Sequence, residues 1–178
     1  MKIESSTKTR PLTLMALFTA LTAICSWISI PLPFTEIPIN LATFSVILAG
    51  TLMGRKYGIT SMLIFLLLGA FGVPVFHNFT GGFGILAGPT GGFLIGYIFL
   101  ALCTGLYKDK NLNYFIAVFL GEVILYSFGM IWFIISTNSS LSVAFISCVL
   151  PFIPGDIIKI ILARTICIRI EKTHILMV

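Results

Sequence analysis

Residues 151–162 read PFIPGDIIKIIL and hold the residue types best suited to contact a polar solute. Proline lacks a backbone donor and pre-sets its φ, so a helix is expected to restart at Pro154. Asp156 then falls in the first turn, where a carboxylate suits the positive end of the helix. Asp156 and Lys159 are spaced i, i+3 and share one helix face. Two ionisable groups at membrane depth are costly unless paired or bound to something polar. The pair therefore has two readings. It is an internal ion pair that only neutralises itself, or a face that meets a solute carrying donors at one end and an anion at the other.

A second stretch, residues 72–93, reads GVPVFHNFTGGFGILAGPTGGF and contains no Asp, Glu, Lys or Arg. A solvated loop would be polar, whereas this one holds Phe76, Phe79, Phe83, Ile85 and Leu86. It is expected to fold back into a helix bundle, where irregular backbone is tolerated if it lines a cavity. Glycine lets a main chain approach a ligand closely and present N–H groups to it. The competing reading is that the glycines serve only tight turns and helix packing. A dinucleotide fingerprint is excluded, because no strand–turn–helix context surrounds these glycines.

Other polar residues are sparse. Glu122 and Tyr126, four apart, either add to a polar lining or lie below it and serve helix contacts. His77 and His174 have no second histidine at ligand spacing, and Cys25, Cys103, Cys148 and Cys167 stand singly, so neither a metal site nor a disulfide framework is indicated. No nucleophile–base constellation and no GxxxxGK[ST] phosphate loop occurs, which argues against an enzyme. Ala16 and Ala20, with Thr13 and Ala23 nearby, form a small-residue face that admits another helix, either inside the bundle or on a partner subunit.

The elements that must position these residues follow from composition. Of 178 residues, 58% are hydrophobic and 10% are charged, against about 25% charged in a soluble domain. So few charges cannot cover a water-facing surface, which excludes a soluble enzyme, a nucleic-acid-binding module and a disordered regulator. Six apolar segments are expected, at about 12–30, 41–53, 59–71, 91–107, 113–136 and 143–170, the last restarting as a helix over 154–170. They make one membrane domain over 1–178, and the first is read as a retained membrane helix rather than a cleaved signal.

Basic residues sort by connection. Lys2, Lys8, Arg10, Arg55, Lys56, Lys108, Lys110, Arg169 and Lys172 fall on one side, nine of eleven in all. The alternate connections 31–40, 72–90 and 137–142 contain none. The positive-inside rule then places both termini in the cytoplasm and the glycine-rich loop, between helices three and four, outside. Arg164 is read as snorkelling toward the cytoplasmic end. Lys159 is left well away from the basic side.

The run GVPVFHNFTGGFGILAGPTGGFLIG, the late PGDIIK and the length together resemble the BioY family, the biotin-specific substrate-binding (S) subunits of energy-coupling-factor (ECF) transporters. The resemblance spans essentially the whole chain. Its first outer loop, PLPFTEIPINL at 31–41, carries Glu36 where the family often has Gln or a second Thr. The resemblance implies an all-α bundle of six transmembrane helices in a bacterial cell membrane, without a cofactor. It implies high-affinity capture of biotin from outside and delivery inward with a membrane coupling subunit and two ATP-binding subunits. In that frame Asp156 accepts a ureido N–H and Lys159 meets the carboxylate or the ureido carbonyl. Asn78 adds a neutral donor and acceptor, while Phe76 and the backbone of Gly81, Gly82 and Gly84 form an apolar cover. Tyr97 faces the same cavity, and Ala16 and Ala20 dock the coupling subunit. The alternative is a stand-alone carrier or channel acting as an oligomer, for which the segments show no obvious inverted repeat.

Overall fold

The structure, a computed structural model, describes residues 4–173, with side chains from residue 9 onward. Lys2, the Lys8 side chain and His174 lie outside the described residues. The chain opens with α1 (Glu4–Trp27) and passes into a hairpin of β1 (Ser29–Leu32) and β2 (Thr35–Asn40). The strands are antiparallel, with Ser29 opposite Asn40 and Leu32 opposite Thr35. This corrects the wholly helical expectation, and Ile30 belongs to a strand rather than to the first helix. Pro31, Pro33 and Pro38 cannot continue a helix. A two-stranded ribbon tolerates them, because both of its strands are edges.

α2 (Ala42–Ala70) consists of two helical arms joined at Gly54, whose φ of 79° and ψ of 176° are not helical. The chain reverses there. A Cβ on Gly58 would lie 3.0 Å from the Gly50 Cα, whereas eight residues of continuous helix advance about 12 Å. The segments expected at 41–53 and 59–71 are these two arms. Gly50 also lets the first arm lie directly against α4 (Gly91–Lys110), since a Cβ there would sit 2.6 Å from the Ala101 carbonyl.

Between them, a single 3-10 turn (His77–Phe79) and the short α3 (Phe83–Ala87) structure the glycine-rich loop. α4 stops at Asn111 in the left-handed conformation. α5 (Tyr114–Thr137) starts on the Asn113 side chain, which accepts from the Phe115 and Ile116 amides, and α6 (Leu141–Cys148) starts on Ser140. These are the capping roles that short polar side chains play at helix ends. α7 (Ile153–Thr173) follows at a 43° bend, with Pro154 in its first turn.

By length and composition, four helices suit a membrane crossing among the described residues, and a fifth arises if the bent α6–α7 pair counts as one span. Phe115, Phe119, Ile131 and Ile135 on α5 and Ile157, Ile158 and Ile161 on α7 face outward. Such a surface is stable in lipid and not in water. One end of the bundle gathers charge: Arg55 pairs with Asp109 at 2.8 Å, and Lys108 donates to the Leu52 carbonyl at 2.6 Å. Arg164 lies toward this end, donating to the Tyr107 hydroxyl at 2.9 Å and stacking over Tyr107 and Tyr114. The hairpin and the loop of residues 71–90 close the opposite end.

Candidate functional site

α1, the hairpin, α2, α4, α5 and α7 converge beneath the loop on a cavity of about 540 Å³, counting its open mouth. Its wall takes Ser26 from α1, Asn40 from β2, Thr43 from α2 and His77 from the loop. Phe93 and Tyr97 come from α4, Tyr126 from α5, and Phe152, Asp156 and Lys159 from the α6–α7 junction. Four aromatic rings, Phe93, Tyr97, Tyr126 and Phe152, and several aliphatic groups surround a small polar set, which is the composition of a small-molecule site.

The polar centre is a buried ion pair. Lys159 Nζ donates to Asp156 Oδ1 at 2.7 Å and to Thr43 Oγ1 at 3.0 Å, and both charged residues are only 5% exposed. The Thr43 hydroxyl donates to Asp156 Oδ1 at 3.4 Å, and the Tyr126 hydroxyl donates to Asp156 Oδ2. Asp156 thus accepts from three side chains while Lys159 uses two of its three donors. A pair arranged this way offers an incoming molecule one anionic acceptor beside one cationic donor.

Of the residues singled out from sequence, Asp156, Lys159, Tyr97 and Tyr126 stand together on the cavity wall. Phe76, Asn78, Gly81, Gly82 and Gly84 do not line it. Phe76 is fully buried, meets Phe65 edge-on with ring centroids 5.4 Å apart, and fills the space that a Cβ on Gly69 would need. Asn78 accepts from Ser29 Oγ at 3.0 Å and so ties the loop to the hairpin. Gly81 packs against the Val73 backbone, Gly82 has a φ of 101°, and Gly84 faces open space. These residues shape the loop above the cavity.

Glu122 is buried beside the same centre, within electrostatic range of Asp156 and Lys159, but lies along a groove between α5 and α7 rather than on the wall. Ala16 and Ala20 line an apolar groove on the outer face of α1, together with Ile64, Leu68 and Val73.

Sequence reasoning missed Ser26, Asn40, Thr43, Thr90 and His77 as wall residues. One signal was available for Ser26. Thr19, Thr22 and Ser26 recur at helical spacing within an apolar segment, and all three are buried. His77 had no such pattern, because the turn of an irregular loop aims it. Burial holds the His77 imidazole below its ordinary range, so it is neutral at pH 7.

A lipid-facing bundle with a charged end and a polar cavity beneath a hairpin and loop at the other end defines a multi-pass membrane protein with a small-molecule site. Residues 1–175 match the BioY family, and the chain belongs to it. The biotin transporter BioY of Thermotoga maritima is 37% identical over 172 residues, covering 93% of this chain and 98% of the relative. The biotin transporter BioY of Rhizobium etli is 36% identical over 168 residues, covering 87% and 89%. A crystal structure of the S-component for biotin from an ECF-type ABC transporter superposes with a TM-score of 0.85 at 35% identity, covering 97% of this chain and 95% of the other. The family is one of transporter subunits and not of enzymes.

Proposed function

We propose that this chain is the biotin-binding subunit of an ATP-driven ECF-type uptake transporter, capturing biotin from outside and delivering it inward with a coupling subunit and two ATP-binding subunits. The observation that carries the reading is the Asp156–Lys159 pair inside a cavity at the end away from the charged cluster. Biotin offers a ureido group with two N–H donors and a carbonyl, an apolar bicycle and a carboxylate tail. An acceptor beside a donor complements the ureido edge, and Phe93, Tyr97 and Phe152 suit the bicycle. A nanomolar site needs about 12 kcal/mol, and a hydrogen bond to a charged group contributes about 1.5–3 kcal/mol. Polar contacts and apolar enclosure must therefore combine.

The topology belongs to the same proposal. Counting the arms of α2 as two crossings and α6–α7 as one gives six, with both termini on the side of Arg55, Lys108 and Lys110. The positive-inside rule makes that side cytoplasmic and opens the cavity outward. Phe76, Asn78, Gly81, Gly82 and Gly84 then hold the loop as a cover, and Ala16 and Ala20 dock the coupling subunit, where a small-residue face admits a close helix. Biotin and lipid are the small-molecule partners; nucleic acid is not one.

Titration of the purified protein in detergent, without ATP, against biotin, desthiobiotin and an unrelated vitamin tests the assignment. Saturable binding of biotin and none of the unrelated vitamin is expected, and absence of biotin binding overturns it. Uptake into vesicles holding this protein alone, compared with vesicles that also hold coupling and ATP-binding subunits, separates it from a stand-alone carrier.

A further inference from the structure

Among the described residues, the buried side-chain atoms without a hydrogen-bond partner are Ser26 Oγ, both ring nitrogens of His77 and both carboxylate oxygens of Glu122. Ser26 and His77 lie on the cavity wall, whereas Glu122 lies along the α5–α7 groove. The remaining polar centre of the cavity is already engaged, with Asp156 accepting from Lys159, Thr43 and Tyr126. A buried polar group without a partner costs free energy that a ligand group of matching chemistry recovers on binding. We propose that Ser26 and His77 form a second polar station of the cavity, which donates to the carboxylate tail of the ligand and so selects for it.

The inference rests on the biotin reading and assigns its two ends. Beside Lys159 a ligand carboxylate would also meet the negative charge of Asp156, only 2.7 Å from the ammonium. A neutral ureido edge, with N–H and C=O side by side, suits that acceptor–donor pair better. Ser26 and His77 form no ion pair or hydrogen bond with an acidic side chain among the described residues. A serine hydroxyl and a neutral imidazole each supply one donor, as a carboxylate requires. Ser26 sits one residue before the end of α1, and His77 opens the 3-10 turn of the loop, so both approach from the hairpin end of the bundle.

Affinities of the unmodified protein, Ser26→Ala, His77→Leu and His77→Gln for biotin and for biotinamide, whose tail is neutral, test this. Ser26→Ala and His77→Leu are each expected to weaken biotin at least fivefold and to weaken biotinamide, whose amide oxygen still accepts but carries no charge, by a clearly smaller factor, with His77→Gln recovering part of the loss. Removal of an unpartnered hydroxyl should leave the ligand-free melting temperature of Ser26→Ala unchanged or higher, so lost affinity would not reflect unfolding. Equal losses for both ligands, or no loss for either, would overturn the station. Failure of the unmodified protein to bind either ligand overturns the biotin reading beneath it.

Discussion

Lys159 Nζ lies 2.7 Å from Asp156 Oδ1, one turn away on the same helix, with both side chains almost fully removed from solvent. Breaking a buried pair by removing one partner leaves an uncompensated charge, at a cost of about 3–5 kcal/mol. Replacing both partners with apolar groups of similar size is often nearly neutral. Lys159→Met is therefore expected to lower the melting temperature more than the double variant Asp156→Leu/Lys159→Met does. Thermal unfolding in detergent, monitored by near-ultraviolet circular dichroism, distinguishes the two.

The reversal at Gly54 depends on a backbone conformation that side chains resist. Its φ is 79°, and a Cβ there would meet the Asp109 carboxylate. Gly54→Ala is expected to destabilise the protein by about 1–3 kcal/mol, the cost of a residue held in a sparsely populated backbone region. Gly155 is the control. It is helical and a Cβ there meets open space, so Gly155→Ala should stabilise by about 0.4–1 kcal/mol. Melting temperatures of the two variants should move in opposite directions.

Much of this architecture was legible in the chain, for physical reasons. Apolar segments and the one-sided placement of Arg55, Lys108 and Lys110 survive any detail of packing, because lipid imposes both. Asp156 and Lys159 were visible because ionisable residues are so few in this background. The hairpin was obscured by its prolines, which deny a helix without announcing a strand. The upper wall was less legible still. Asn78 and the loop glycines look like ligand contacts by residue type, yet Asn78 is engaged by Ser29 and Gly81 packs against the Val73 backbone. His77 reaches the cavity through the left-handed turn at Asn78 and Phe79, which no periodicity encodes.

Acid should loosen the upper wall. The His77 imidazole is held below its ordinary value of 6.5 by burial. The unfolded chain therefore takes up this proton at a higher pH than the folded one does, and stability falls as pH drops through about 6.5. The loss levels off once pH passes below the folded value. Melting temperatures should decline over that window, and His77→Gln should remove this part of the decline.

Glu122 presents the opposite case to Asp156. It is 6% exposed, and neither carboxylate oxygen has a hydrogen-bond partner among the described residues. A buried polar group without a partner is destabilising, and an apolar side chain of similar length removes that cost. Glu122→Met is expected to raise the melting temperature. A marked fall would assign this carboxylate an essential contact instead.

Biotin capture by the Asp156–Lys159 centre is tested most directly by calorimetric titration of biotin into the unmodified protein and into Asp156→Ala and Lys159→Ala. Each substitution is expected to weaken binding at least tenfold, about 1.4 kcal/mol, in protein that remains folded and monodisperse. Unchanged affinity in both variants, or no binding to the unmodified protein, would contradict the account.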